Sequence, residues 1–307
     1  MTRLQKPAHL PTRNGVSPSC VALPAGHWPT VLDFLCERLP AVSREQWHSR
    51  MAQAQVLNTL GEPIAAAQSY TPNTRVFYYR DVGLEPVLPA RATVLFQDDH
   101  LVVADKPHFM PVTPSGRYVQ QSLLVQLKRD LQLEMLSPIH RIDRETAGLV
   151  LFSVRAQDRG AYQALFRERA VRKVYEAVAP RLENVRWPIT RRSRIEASAD
   201  FFRSQETAGE PNSETHVSLL HAANDVALYR LEPVTGKRHQ LRIHLTALGA
   251  PIEGDQFYPQ IKRRADEPED FTQPLQLLAR SLAFTDPITG QARFFESRLQ
   301  LRLRCPG

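Results

Sequence analysis

Apolar positions first recur at helical spacing in Val31, Leu32, Leu35 and Leu39, and Pro40 stops that run. Ser43 then opens a second helical stretch through Met51, with Gln46 three residues on as in a capping box. Gln55–Asn58, Ile64–Ala66 and Arg75–Tyr79 have the length and composition of short strands. Leu84–Ala90 holds two prolines in seven residues and reads as a linker. Beyond it, Val94–Phe96, the turn Asp98–His100 and Leu101–Ala104 predict a strand, a turn and a strand. Gly148–Val154 is one continuous apolar run, the signature of a strand buried on both faces. Gln157–Arg169 has helical character, with Tyr162 and Phe166 four apart. Lys173–Ala179 alternates, which puts Lys173, Tyr175, Ala177 and Ala179 on one face. His216–Leu220 and Val226–Leu231 predict further strands, and Gln240–Leu248 a helix striped by Leu241, Leu245 and Leu248 and closed by Gly249.

Strands and helices mix without strict alternation, so the pattern favours an α+β class over a doubly wound sheet. The predicted organisation is a tail (1–26), a small unit (27–83), a linker (84–92) and one large domain (93–307). The stretch 181–215 reads as loops, and Asp266–Asp270 as a solvated acidic loop.

Length and composition set bounds on this picture. A chain of 307 residues, 42% hydrophobic and 23% charged, is long enough for a sizeable core and is not a disordered polymer. Its longest stretch without Asp, Glu, Lys or Arg, Asn14–Leu32, contains three prolines and predicts no membrane span. With no secretory pattern at the N-terminus, the expectation is a soluble cytoplasmic protein, by default a monomer. Three cysteines without short spacing, and His239 and His244 without a metal-ligand partner between them, predict neither a disulfide framework nor a metal site. Phosphate-loop and dinucleotide fingerprints are missing, so no cofactor is expected.

Charge distribution says more than its total. The net +7 is held entirely by Arg141–Arg194, with thirteen basic and six acidic residues, while the rest of the chain balances at 26 of each. That concentration suits a surface meeting a polyanion, or simply a solvated basic face.

Four segments hold candidate chemistry. Asp105–Gly116 is a Pro-rich turn after a strand. His140-Arg-Ile-Asp-Arg-Glu-Thr-Ala-Gly148 puts Asp143 between Arg141 and Arg144 at the entrance of the buried strand. A carboxylate beside guanidinium stays ionised and suits a nucleophile or base; a salt-bridged turn Asp has the same pattern. Tyr175 shares its face with small alanines, leaving room for a ligand against the ring or for ordinary core packing. Thr235–His244 feeds a helix start rich in basic residues, with Arg242 in its first turn. An Arg there also suits pairing with a nearby acid such as Asp255.

As an ordered set, HRIDRETAG with LVLF, then KVY, then TGKRHQLRIHLTALGAPIEGD, resemble the motifs of RNA pseudouridine synthases of the RluA type, over about residues 93–304. Ala147 and Ile142 stand where the family commonly has Ser and Leu. Residues 27–83 resemble, more weakly, a small RNA-binding module shared with a ribosomal small-subunit protein. The resemblance implies a pseudouridine synthase fold with a central mixed, mostly antiparallel sheet. It further implies Asp143 as the catalytic aspartate, Tyr175 against the target base, taking the C5 proton, Arg242 pairing with Asp143, and Arg141 replacing the flipped base. His140, Arg144, Lys173, Arg238, Arg191, Arg192 and Arg194 complete the expected RNA contacts. The implied partner is ribosomal or transfer RNA, without membrane, metal or small-molecule cofactor. Two other readings of the residues stand beside it: a non-catalytic RNA-binding protein on the same fold, and a glycoside hydrolase, which lacks a clear partner acid for Asp143.

Overall fold

The computed structural model describes residues 10, 12–80, 85–200, 202–263, 267 and 269–302. Most of the first eleven residues of the predicted tail, Leu84 of the linker, Asp266 and Pro268 of the acidic loop, and Cys305 lie outside them. The chain divides into two units: Met1–Glu85 with Gly116–Gln120, and Pro86–Ser115 with Gln121–Gly307.

The first unit pairs a three-stranded antiparallel sheet with two helices. Strands β1 (Ser19–Ala22), β2 (Val56–Leu57) and β3 (Arg75–Tyr78) lie in the order β1-β3-β2, with α1 (Val31–Arg38) and α2 (Arg44–Ala52) between β1 and β2 in sequence. Both helices begin with complete capping boxes, Thr30 with Asp33 and Ser43 with Gln46. Each cap contributes about 1 kcal/mol by satisfying end N–H groups. Phe34, Leu35, Trp47, Val56 and Val76 fill the space between. Two expectations change here. The predicted tail contains β1, and Ile64–Ala66 forms no strand: Ile64 is buried, but Pro63 makes only an isolated bridge to Leu57.

The second unit is built on an eleven-stranded sheet. Its elements are β4 (Thr93–Gln97), β5 (Leu101–Lys106), α3 (Leu123–Leu131), β6 (Ser137–Pro138), β7 (Ala147–Ser153), α4 (Arg159–Arg167) and β8 (Arg172–Pro180). There follow β9 (Ile189–Ala197), β10 (Ser204–Thr207), β11 (Ser213–Ala223), β12 (Val226–Pro233), α5 (Gln240–Ala247), β13 (Leu277–Thr285) and β14 (Ala292–Glu296). The main order is β10-β9-β11-β12-β8-β13-β7-β5-β4, with β14 on β13 and β6 on β7. Every pairing is antiparallel except β13 with β7. The class is α+β, with a mixed, mostly antiparallel sheet.

All seven residues of β7 are buried, as its unbroken apolar run predicts. The alternation of β8 sends Ala177 and Ala179 into a core shared with Leu241 and Leu245 of α5, and Tyr175 packs against the same core. Helix α5 therefore covers the face of the sheet that carries Tyr175. Strand β13 sits between β8 and β7, and its Ala279 pairs with Tyr175 on one side and with Gly148 on the other. Gly148 has φ +109, and a Cβ there would fall 2.3 Å from the Ala279 carbonyl oxygen. Only glycine permits that approach. Residues 181–215, predicted as loops, instead supply β9, β10 and the start of β11.

Candidate active site

Asp143 lies on the loop between β6 and β7, and that loop is fixed from several directions. Lys106, fully buried at the end of β5, donates to the carbonyls of Pro107 (2.9 Å) and Arg144 (3.0 Å). Burial lowers its pKa to about 7, against the pull of Glu145. His108 donates from Nδ1 to the Glu145 carbonyl at 2.8 Å, and burial keeps its pKa down to about 4. At the loop's start, His140 stacks on Phe166 and accepts the Leu151 N–H at 3.2 Å. The Asp143 carboxylate itself makes no hydrogen bond to a described residue and is 26% exposed.

Facing it is Arg242, in the first turn of α5 and 1% exposed. Its Nε and Nη2 donate to Asp255 at 2.7 and 2.6 Å, and its guanidinium lies 4.9 Å from the Phe257 ring and 5.3 Å from the Tyr258 ring. Asp255, fully buried, also accepts the N–H groups of Phe257 and Tyr258. Burial opposes the charge on Arg242, but the hydrogen bonds and charge of Asp255 outweigh it and raise its pKa. The remaining nitrogen, Nη1, is buried without a hydrogen-bond partner, 3.7 Å from Asp143 and 3.9 Å from Glu145. Arg242 is thus both the acid-paired helix-start arginine and the cation beside Asp143.

Two more groups face the carboxylate. His239, at the N-cap of α5, brings Nε2 within 3.9 Å of Asp143 Oδ1. Tyr175 has its pKa pushed up by burial and then by the charge of Asp143. It rests as a phenol, so accepting a proton at its oxygen requires passing its own onward.

The expected RNA contacts divide. Arg141 is exposed and makes no ion pair or hydrogen bond among the described residues. His140 and Arg144 are engaged within the protein. Burial drives the His140 pKa down to about 3, leaving a neutral ring that holds the loop. Arg144 turns to Glu145 (2.9 Å) and Glu269 (2.6 Å), so it anchors the loop rather than extending from it. Lys173 reaches the Thr235 carbonyl at 3.4 Å, and Arg238 donates to that of Phe202. Arg191, Arg192 and Arg194 pair with Glu206, Glu214 and Glu196. They lie on one strand, β9, whose alternation puts Arg191 on the opposite face from Arg192 and Arg194.

Sequence reasoning missed Lys106, Glu145, His239 and Glu269. Lys106, Glu145 and His239 lie inside the segments of candidate chemistry, and Glu269 inside the acidic loop. Among the described residues no cluster of His, Cys, Asp or Glu could hold a metal ion, and no helix is long and apolar enough to cross a membrane.

The sequence profile of the RNA pseudouridylate synthase family matches residues 100–247. The dual-specificity RNA pseudouridine synthase RluA of Haemophilus influenzae is 31% identical over 233 residues, 71% of this chain and 97% of that protein. An uncharacterized RNA pseudouridine synthase of Synechocystis is 29% identical over 74% of this chain and 79% of its own length. Among solved structures, human RNA pseudouridylate synthase domain containing 4 superposes with a TM-score of 0.54 at 26% identity, over 68% of this chain and 88% of that one.

Proposed function

Because the chain belongs to the RNA pseudouridine synthases of the RluA type, we propose that it converts specific uridines of ribosomal or transfer RNA to pseudouridine, with Asp143 acting on a flipped-out nucleotide. The reaction breaks the N1–C1′ bond, turns the uracil and rejoins it through C5, so atoms and electrons balance without an oxidant or reductant. A carboxylate acts on the sugar, by attack at C1′ or by taking a proton from C2′. Carrying this reading is the position of Asp143: its carboxylate is open to an incoming ligand, yet lies 3.7 Å from a buried arginine nitrogen that lacks an acceptor. That nitrogen places a fixed positive charge beside the carboxylate. The half-buried phenol of Tyr175 offers a ring for the uracil, and Arg141, exposed two residues before Asp143, fills the gap the base leaves. Flipping costs a few kcal/mol, offset by stacking and phosphate contacts. The enzyme is taken to work as a cytoplasmic monomer.

The test is pseudouridine mapping of total RNA from cells with and without this protein, and from cells carrying Asp143→Ala. One or more sites should vanish in the deletion and stay absent in the variant, while the purified variant still binds the target RNA. Turnover by Asp143→Ala refutes its assignment, and an unchanged map in the deletion favours the binding-only reading.

A further inference from the structure

His239 combines three observations that the reaction scheme leaves unused. Its backbone is left-handed, φ +57 and ψ 17, a conformation that costs a residue with a side chain about 1 kcal/mol or more. Its side chain is 5% exposed yet aimed at Asp143. Its protonation pattern is set from behind. Tyr258 donates its hydroxyl proton to the Ser204 carbonyl at 2.8 Å and accepts the Ser204 N–H at 3.0 Å. With that proton committed, the 2.9 Å contact between Tyr258 Oη and His239 Nδ1 is a hydrogen bond donated by the imidazole. Burial lowers the pKa of the ring, so the neutral tautomer is the resting one and Nε2 carries a lone pair. Nε2 and Asp143 Oδ1 are therefore two acceptors facing each other at 3.9 Å with no donor between them.

A hydroxyl oxygen about 2.8 Å from Nε2 can give its one proton to the ring nitrogen while lying beside Asp143. We infer that His239 reads the 2′-hydroxyl of the target ribose, accepting its proton at Nε2 while Asp143 works on the neighbouring carbons. This inference rests on the pseudouridine synthase reading. The chemistry places Asp143 against C1′ or C2′, and the 2′-hydroxyl is the donor attached there. Uracil N3–H is the alternative donor, but the base turns during the reaction, so a contact with it does not last through the steps. A hydroxyl tied to His239 also leaves the carboxylate lone pairs free for the sugar carbons. The group would distinguish RNA from DNA at the reacting nucleotide.

The test uses the full chain with Asp143→Ala, so that binding reaches equilibrium, and a synthetic hairpin carrying the uridine found by mapping. The hairpin is made with uridine or with 2′-deoxyuridine at that one position. With His239 present, the deoxy substitution is expected to weaken binding roughly fivefold to tenfold, the worth of one buried hydrogen bond. In His239→Asn, which tolerates positive φ and keeps a donor toward Tyr258, that penalty should shrink below about twofold. Tyr258→Phe, which frees either ring nitrogen to take the proton, should shrink it without touching His239 and keeps the test readable if His239→Asn fails to fold. An equal deoxy penalty with and without His239, or none in either, overturns the inference. Failure of Asp143→Ala to silence turnover instead indicts the catalytic assignment.

Discussion

Arg242 has three nitrogens and uses them differently: two are locked on Asp255, and one is buried between Asp143 and Glu145 without a hydrogen bond. A planar fork can hold one carboxylate rigidly and still present a donor to another; a lysine ammonium cannot do both from one point. Arg242→Lys is therefore expected to lower kcat about a hundredfold, the scale of losing one fixed donor. KM should move little, because Arg242 is buried behind Asp143 rather than facing bulk RNA. Single-turnover kinetics separate the two, and a large rise in KM with kcat intact would refute the assignment. At this scale the sequence was informative about types and poor about partners. Asp255 was identifiable as a possible partner for Arg242, but Glu269 lies 125 positions from Arg144, and no local pattern announces that pair.

Register is what joins these residues into one site. Ala279 of β13 pairs with Gly148, five residues beyond Asp143, and with Tyr175 of β8. Gly148→Ala would drive a methyl into the Ala279 backbone at a positive φ. It should destabilise the second unit by about 3 kcal/mol or more. In chemical denaturation the transition should shift accordingly, and the residual folded enzyme should turn over slowly, because the Asp143 loop is displaced. An unchanged midpoint would refute the constraint. Elements with strong local signals were legible: α1 through its apolar spacing, α2 through its capping box, β7 through its apolar run, α5 through its leucine stripe. Strand β9 was not, because Ile189-Thr-Arg-Arg-Ser-Arg-Ile195 lacks a period-two apolar pattern. Part of its cohesion comes from Arg–Glu pairs within and across strands, visible only once β10 and β11 are alongside.

Across the molecule, the surplus of +7 between Arg141 and Arg194 is answered by carboxylates from elsewhere: Asp99, Glu206, Glu214, Glu232 and Glu269. Exposed pairs of this kind are weak, and RNA phosphates can displace them. Buried ones stay closed. Arg141→Gln should thus reduce the slope of log affinity against log salt by roughly 0.7–0.9, one phosphate contact. Arg144→Gln should leave that slope unchanged and slow turnover instead; the reverse pattern would show that the ion pairs do not govern which cations meet RNA. Acid stability follows from the histidines. His108, His140 and His244 are held neutral by burial, with pKa values of about 4, 3 and 4, against about 6.5 in the unfolded chain. Between those values the unfolded chain binds more protons, so the folded state is favoured fully above about pH 6.5 and progressively less down to pH 3–4. Thermal melting across that range should show a falling Tm, and a flat profile would contradict it. The central place of β13 also bears on how the enzyme comes into being. On a ribosome, Asp143, Tyr175 and Arg242 are all synthesised before Leu277, yet the strand that sets β7 beside β8 emerges last among the three. The growing chain therefore holds all three proposed site residues before it holds their geometry, and the nascent protein is expected to stay inert toward the RNA that surrounds it until synthesis has passed β13.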